Sequence, residues 1–391
     1  MVFPERFSNL PVATWPRLRA LLDVPTTASD VINMTIGEPR HAFPAFVGDI
    51  LAANLQGFAK YPNNNGTDDL LDAIAGFLNR RYGLDLAHDQ ILTLNGTREG
   101  LYNAAMALSP EEKNGQPVIL TPNPFYQVYA VAALSVGAEP IYVPATESSG
   151  HLPDFHALPD DVLARTTIAY ICSPANPQGA VADAEYWRAL ITLAEKHGFV
   201  IFADECYSEI YRDTPPVGAL QIATEMGADP DRVVIFHSLS KRSNLPGLRS
   251  GFCAGGTKSI ARIRQLRAFA GAPLPEPLQA VAAKVWDDEA HVEENRALYH
   301  QKYEIADQIF GHVPGYQSPQ AGFFLWLPVE DGEAAAVKLW QETGVRVLPG
   351  AYLSRDVAGE NPGASYIRVA MVAPTQEMQR GLTLIRDCLY G

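Results

Sequence analysis

Apolar residues in this chain follow two different periods. Between about residues 90 and 255 they gather into short, nearly unbroken runs rich in β-branched side chains: QILTL (90–94), PVILT (117–121), TTIAYIC (166–172), FVIFAD (199–204), VVIFHS (233–238) and GFCAG (251–255). Strands that are apolar on both faces and separated by helical stretches predict a mostly parallel sheet covered by helices on each side. Between the runs the spacing becomes helical. Residues 67–82 place Leu70, Leu71, Ile74, Leu78 and Tyr82 on one stripe, with Thr67 as cap, Asp68 and Asp69 in the first turn and Gly83 as the stop. Residues 184–197 repeat that plan with Trp187, Leu190, Ile191 and Ala194 inward and Gly198 at the end.

After about residue 270 the texture changes. The Pro-rich break GAPLPEPLQ leads into long amphipathic helices over 277–287 and 292–310, then the runs GFFLWLP, VRVLP and YIRVAMV and a last helix from about 375. The pattern predicts an α/β fold in two units: a large one over residues 41–270 with the mostly parallel sheet, and a smaller α+β unit built from residues 1–40 and 271–391. The sequence contains no internal repeat and no low-complexity segment.

Composition narrows the function classes. The 391 residues are 47% apolar and 19% charged, the balance of a globular enzyme. A net charge of −14 argues against a nucleic-acid or anionic-membrane surface, so any basic site must be local. No run approaches the roughly 18 apolar residues of a membrane span, and MVFPERFSNL lacks the pattern of a secretory leader, so a cytoplasmic location is expected. Cys172, Cys206, Cys253 and Cys388 show no metal-ligand spacing and read as small apolar residues; no metal is expected.

In open α/β sheets ligands sit beyond the carboxyl ends of the strands, and five successive strand ends here carry polar groups. After QILTL comes Asn95-Gly96-Thr97-Arg98-Glu99-Gly100, a turn opening a helix whose free N–H groups suit a phosphate. PVILT is followed by Phe125 and Tyr126, which offer a flat aromatic face, and TTIAYIC by Ser173-Pro174-Ala175-Asn176-Pro177, which offers an amide. FVIFA ends in Asp204-Glu205-Cys206-Tyr207, an acid followed by a phenol, and VVIFH is followed by Ser238, Lys241 and Arg249. Taken singly, each has a plain structural reading: Asp204 as a helix cap, Lys241 as a solvated amine, the Pro steps as turns.

Taken together, the set meets the needs of pyridoxal 5′-phosphate. Its aldehyde condenses with a lysine amine, which is nucleophilic when desolvated or beside another cation such as Arg249. Its pyridine nitrogen keeps a proton beside a carboxylate, for which Asp204 is placed. The ring oxygen takes donors from Asn176 and Tyr207, and the ring stacks on Tyr126. Two other readings compete. Ser238-Leu239-Ser240-Lys241 matches the S-x-x-K of penicillin-binding acyl-enzymes, whose S-D-N and K-T-G companions are missing. GFCAGGTKS approaches the phosphate loop of nucleotide hydrolases, but Thr257 separates Gly256 from Lys258.

The string SLSKRSNLPGLRSGF, together with Asp204-Glu205-Cys206-Tyr207, Asn176-Pro177 and Asn95-Gly96-Thr97, resembles the fold-type I, class I/II aminotransferases of the aspartate aminotransferase kind, over essentially the whole chain. The resemblance implies Lys241 as the lysine that binds the cofactor aldehyde, Asp204 as partner of the pyridinium, Tyr207 and Asn176 on the ring oxygen, and Tyr126 on the ring face. It implies Gly96, Thr97, Arg98, Ser238 and Arg249 at the phosphate. Arg368 in YIRVAMV resembles the arginine that forks onto the substrate α-carboxylate, and Gly37 in TIGEPRH the glycine whose backbone lies against substrate. Tyr61 in KYPNNNGTDDL resembles the tyrosine that reaches the partner subunit's phosphate, which implies a homodimer.

IGEPRH, LNGTREGL, PNPFYQVY, DECYSEIY, SKRSNLPGLRSGF and WDDEAHVEENRALY are similar to N-succinyl-diaminopimelate aminotransferases of lysine biosynthesis, from which the chain departs at RAFAGAPLPEPLQ (267–279). The implied reaction moves an amino group from glutamate to an acceptor such as N-succinyl-2-amino-6-oxopimelate. A pyridoxal-phosphate carbon–sulfur lyase on the same fold is the alternative, since both reactions start from the same carbanion.

Overall fold

The computed structural model describes residues 4–8 and 10–391. Its main sheet has seven strands, in the spatial order Ile91–Leu94, Gly251–Gly255, Val233–Ser238, Val200–Asp204, Thr166–Cys172, Val118–Asn123 and Glu139–Pro144. Only Gly251–Gly255 runs antiparallel to its neighbours; the other pairings are parallel. All six expected runs are strands of this sheet. The seventh, Glu139–Pro144, was not expected, because EPIYVP carries two prolines and is half-exposed along most of its length, as an edge strand tolerates.

Helices cover both faces. Asp68–Tyr82 starts where Thr67 Oγ1 accepts from Leu70 N at 3.4 Å and stops at Gly83, whose φ of 67° lies in the left-handed region. Ala184–His197 is capped by Asp183, which accepts from Tyr186 N at 2.8 Å, and stops at Gly198. Burying each leucine, isoleucine or phenylalanine of such a stripe is worth about 1.5–3 kcal/mol.

Helix Glu276–Asp287 packs across the expected boundary. Its Val281, Ala282, Val285 and Trp286 share one buried cluster with Leu70, Ile74 and Phe77. An amphipathic stripe says that a helix is buried on one side, and not which core receives it.

The smaller unit holds an antiparallel sheet in the order Leu348–Pro349, Tyr366–Ala370, Phe324–Pro328, with Arg368 opposite Trp326. The expected run VRVLP is divided between this sheet and the short strand Val345–Arg346, which pairs in parallel with Ile32–Asn33. The N-terminal segment is thereby tied to the smaller unit, and Ala370 N donates to Met34 O at 2.8 Å. Helices Ala290–Phe310 and Thr375–Leu389 close its core around Tyr299, Phe310, Leu325, Ile367 and Leu382. That cluster also takes in Cys172 and Tyr207 from strand ends of the large sheet, so the two units meet where the polar residues emerge. Among the described residues no helix is long and apolar enough to cross a membrane.

Candidate active site

A cavity of about 360 Å³ opens at this meeting of the units, and Thr97, Tyr126, Asp204, Tyr207, Lys241 and Arg249 are among its lining residues. With Asn176 also in the lining, residues from five separate strand ends converge, as the doubly wound topology requires.

Lys241 sits on the single helical turn Leu239–Arg242, whose first residue follows Ser238; the Ser238 Oγ accepts from Ser240 N at 3.1 Å and so fixes the turn. The Lys241 Nζ donates to Gly37 O and lies 5.4 Å from the centre of the Phe323 ring. Burial pulls its pKa down to about 8; Arg368 and Arg249 push the same way, against Cys206 and Glu38. An amine in this setting is far more nucleophilic at neutral pH than a solvated lysine.

Asp204, at the end of Val200–Asp204, is 5% exposed. Its Oδ2 accepts from the Tyr129 hydroxyl at 2.8 Å and its Oδ1 from Cys206 N at 3.4 Å. Burial raises its pKa, while the bonds from Cys206 and Tyr129 and the nearby His237 oppose that rise. Neither hydrogen-bond donor is a cation, so a protonated ring nitrogen would supply the positive charge this carboxylate lacks.

The phosphate end is built on the Asn95–Thr97 turn. Gly96 has φ 80° and caps the twelve-residue helix Thr97–Leu108, and a Cβ added there would stand 2.2 Å from Arg249 Nη2. Only glycine lets the guanidinium lie on the turn. Arg249 itself donates to Pro246 O at 2.9 Å and Asn95 O at 3.2 Å, both neutral acceptors, so its charge remains available to an anion beside the helix N-terminus. Arg98 donates to the Tyr126 hydroxyl at 2.5 Å, and Thr97 Oγ1 lies 3.2 Å from Cys206 Sγ.

At the opposite end Arg368 is 5% exposed and has no carboxylate partner among the described residues. Its Nη1 donates to Asn176 Oδ1 at 3.1 Å and its Nη2 to Thr35 O at 2.8 Å, its Nε is buried without a partner, and its guanidinium lies 4.2 Å from the centre of the Phe324 ring. Burial pulls its pKa down to about 10, with Tyr207 opposing. A buried guanidinium with three of its five N–H groups unengaged is a receptor for a planar anion. Gly37 lies alongside: a Cβ there would come 2.4 Å from Phe324 Cζ.

The structure thus gathers Lys241, Asp204, Tyr207, Asn176, Tyr126, Thr97, Arg98, Ser238 and Arg249 on one cavity, with Gly96, Gly37 and Arg368 in contact with its lining residues. Tyr61 is fully exposed and lies outside the cavity of its own chain. Tyr129 was missed, although it stands three residues beyond Tyr126 on the helix Gln127–Ser135, a spacing that puts both on one face. The part of Thr35 was missed too, and a backbone carbonyl leaves no sequence signal.

The profile for aminotransferase class I and II matches residues 29–385. An LL-diaminopimelate aminotransferase of Dehalococcoides mccartyi is 31% identical over 99% of this chain and 99% of its own length. Among solved structures, an aminotransferase from Neisseria meningitidis superimposes with a TM-score of 0.93 at 37% identity, covering 98% of this chain and 99% of the other. The aminotransferase AspB from Helicobacter pylori gives a TM-score of 0.90 at 32% identity, covering 99% of each.

Proposed function

The chain belongs to the class I and II aminotransferases, pyridoxal-phosphate-dependent enzymes of fold type I, and from that premise we propose which residues do the work and what they act on. The observation that carries the reading is a pair of buried groups without a counter-charge, Asp204 lining the cavity without a cation and Arg368 behind its lining residue Asn176 without an anion. A cationic ring and a substrate carboxylate would complete both at once.

These residues fit the cofactor. Gly96, Thr97, Arg98, Ser238 and Arg249 would hold its phosphate, Tyr126 its face, Asp204 its ring nitrogen, Asn176 and Tyr207 its ring oxygen, and Lys241 its aldehyde end. When bound, the cofactor supplies an aldehyde that takes up the amino group and an electron-poor ring that accepts the electron pair left on the substrate α-carbon. Asp204, buried and hydrogen-bonded by Tyr129, keeps the ring nitrogen protonated. Arg368 would bind the α-carboxylate and orient the Cα–H bond, and Lys241 Nζ, freed by the incoming amine, would take the proton from that carbon and pass it to the carbon of the former aldehyde, the acceptor reversing the transfer. The surrounding apolar side chains, Phe323 and Phe324 among them, exclude water from the reacting centre.

The substrates we propose are glutamate as donor, leaving as 2-oxoglutarate, and an oxo acid of the diaminopimelate skeleton as acceptor, N-succinyl-2-amino-6-oxopimelate first. The motif likeness supports this, as does the 31% identical relative, which is named for LL-diaminopimelate; lysine biosynthesis is part of the proposal. A homodimer with Tyr61 reaching the neighbouring phosphate is part of the proposal, supported by the exposure of Phe43, Leu55, Phe58 and Tyr61. Four free thiols are in keeping with work in the cytoplasm.

The test is a single-turnover half-reaction followed by a panel of keto acids and aldehydes. Glutamate alone should yield one 2-oxoglutarate per active site, and added acceptor should restore turnover. Continuous release of pyruvate and ammonia with no acceptor present would replace transfer by elimination.

A further inference from the structure

Three cations converge on one extended segment, Thr35–His41. Arg368 Nη2 donates to Thr35 O at 2.8 Å, Lys241 Nζ donates to Gly37 O, and Lys302 Nζ reaches His41 Nε2 at 2.7 Å. The first two belong to the site already described. The third has no part in the chemistry above, yet it is the most deeply buried of the three, with 0% exposure.

The bonding around Lys302 is closed. Besides His41 it donates to Met371 O at 2.9 Å and Ala373 O at 2.7 Å, so three acceptors meet the three N–H groups of an ammonium and none of them is a carboxylate. Burial pulls the pKa of Lys302 down to about 7, with Arg40 pushing the same way, while the three acceptors suit its charged form; an ammonium has no lone pair to offer, so His41 Nε2 presents its own. The ring proton then sits on Nδ1, which donates to Asn295 Oδ1 at 2.8 Å. Asn244 Nδ2 donates to that same oxygen and to Ala42 O, each at 3.1 Å. Asn244 stands three residues beyond Lys241, and Met371 and Ala373 directly follow the strand that carries Arg368. One hydrogen-bonded chain therefore runs from the carboxylate end of the cavity, through Lys302, His41 and Asn295, to the loop of the reactive lysine.

Burying an ammonium without a counter-charge costs more than burying an apolar side chain of the same size, so stability alone does not account for Lys302. A three-way donor specifies one geometry. Asn295, Tyr299 and Lys302 share a face of helix Ala290–Phe310, and the His41 ring packs 4.8 Å from that of Tyr299, so the segment has a single seat. The other two anchors are conditional. Arg368 would share its guanidinium between Thr35 O and a bound carboxylate, and Lys241 would leave Gly37 O to hold the cofactor aldehyde. Lys302 alone of the three has no ligand to share.

We propose that Lys302, acting through His41, is a positioning residue that holds Thr35–Ala42 as the fixed wall of the substrate site while Arg368 and Lys241 engage their ligands. The kinetic consequence rests on the aminotransferase reading above; the positional claim stands on the chain itself.

Two variants of the full-length protein test it, Lys302→Met and His41→Ala. In both, hydrogen exchange of the backbone amides across residues 36–42, with and without pyridoxal phosphate, should quicken about tenfold while strand Val233–Ser238 is unchanged, the size expected for coupled neighbouring side chains. The KM for the amino-acid donor should rise about tenfold with kcat within about twofold, and the double variant should be no worse than the worse single one. If Lys302→Met does not fold, His41→Ala, which leaves both carbonyl bonds of Lys302 in place, carries the test alone. Unchanged exchange at 36–42 in His41→Ala, additive effects in the double variant, or a loss confined to kcat would each overturn the proposal. Wild-type protein that transaminates no donor would overturn the aminotransferase reading instead, and the exchange measurement would still decide the role of Lys302.

Discussion

Tyr129 donates its hydroxyl proton to Asp204 Oδ2 at 2.8 Å, the shorter of the two hydrogen bonds this buried carboxylate receives. The tyrosine is itself fully buried and stacked on Tyr170, with ring centres 4.5 Å apart, so it holds the acid in one orientation.

From that pair follows a graded loss. Asp204→Ala removes the anion opposite the ring nitrogen and should lower kcat by about 10³-fold, in the range found when one preorganised electrostatic partner is deleted. Tyr129→Phe leaves the charge and removes one neutral donor, so a loss of about threefold to tenfold is expected. Steady-state kinetics on the two variants checks the order; equal losses would mean that Tyr129 does more than orient Asp204.

Arg368→Ala should cut kcat/KM for the amino-acid donor by about 10²- to 10³-fold, because a buried bidentate partner of the carboxylate is lost. Cofactor affinity, read by titration of the variant, should stay near that of the wild type. Arg368→Lys keeps the charge without the fork and should fall between the two.

The amine of Lys241 should titrate early. With its pKa pulled down to about 8, the neutral, reactive form grows in as pH rises through 8 and is lost below it. At pH 7.5 roughly one molecule in four carries the free base, against about one in a thousand for an ordinary lysine. The pH dependence of amine labelling at Lys241 in protein stripped of cofactor measures this, and a midpoint near 10 would show that the cavity does not desolvate it.

Gly96→Ala forces a side chain into a left-handed turn and against Arg249, where the added carbon would stand 2.2 Å from Nη2. Displacing the guanidinium should weaken pyridoxal phosphate binding about tenfold. Fluorescence titration of the stripped protein reads it directly.

Much of this site was legible before any coordinates, for reasons that particular residues make plain. Asp204, Lys241 and Asn176 announce themselves because each is a polar residue at the end of an unbroken apolar run, and such runs end where a sheet opens to its ligand. Thr67 with Gly83, and Asp183 with Gly198, bracket their helices by local bonding alone. What was not legible depends on distant partners. The strand Glu139–Pro144 forms because it finds an edge, despite two prolines. Helix Glu276–Asp287 joins the core of the large unit through Trp286 and Val281, a choice that amphipathicity leaves open. The Arg368–Asn176 bond joins residues 192 positions apart, and Thr35 and Gly37 act through carbonyls that every residue possesses.

The covalent attachment point is the center on which the whole account turns. Reducing the cofactor-loaded protein with borohydride and mapping the modified peptide by mass spectrometry should place the phosphopyridoxyl group on Lys241 alone; the same group found on another lysine, or no reducible adduct at all, would contradict it.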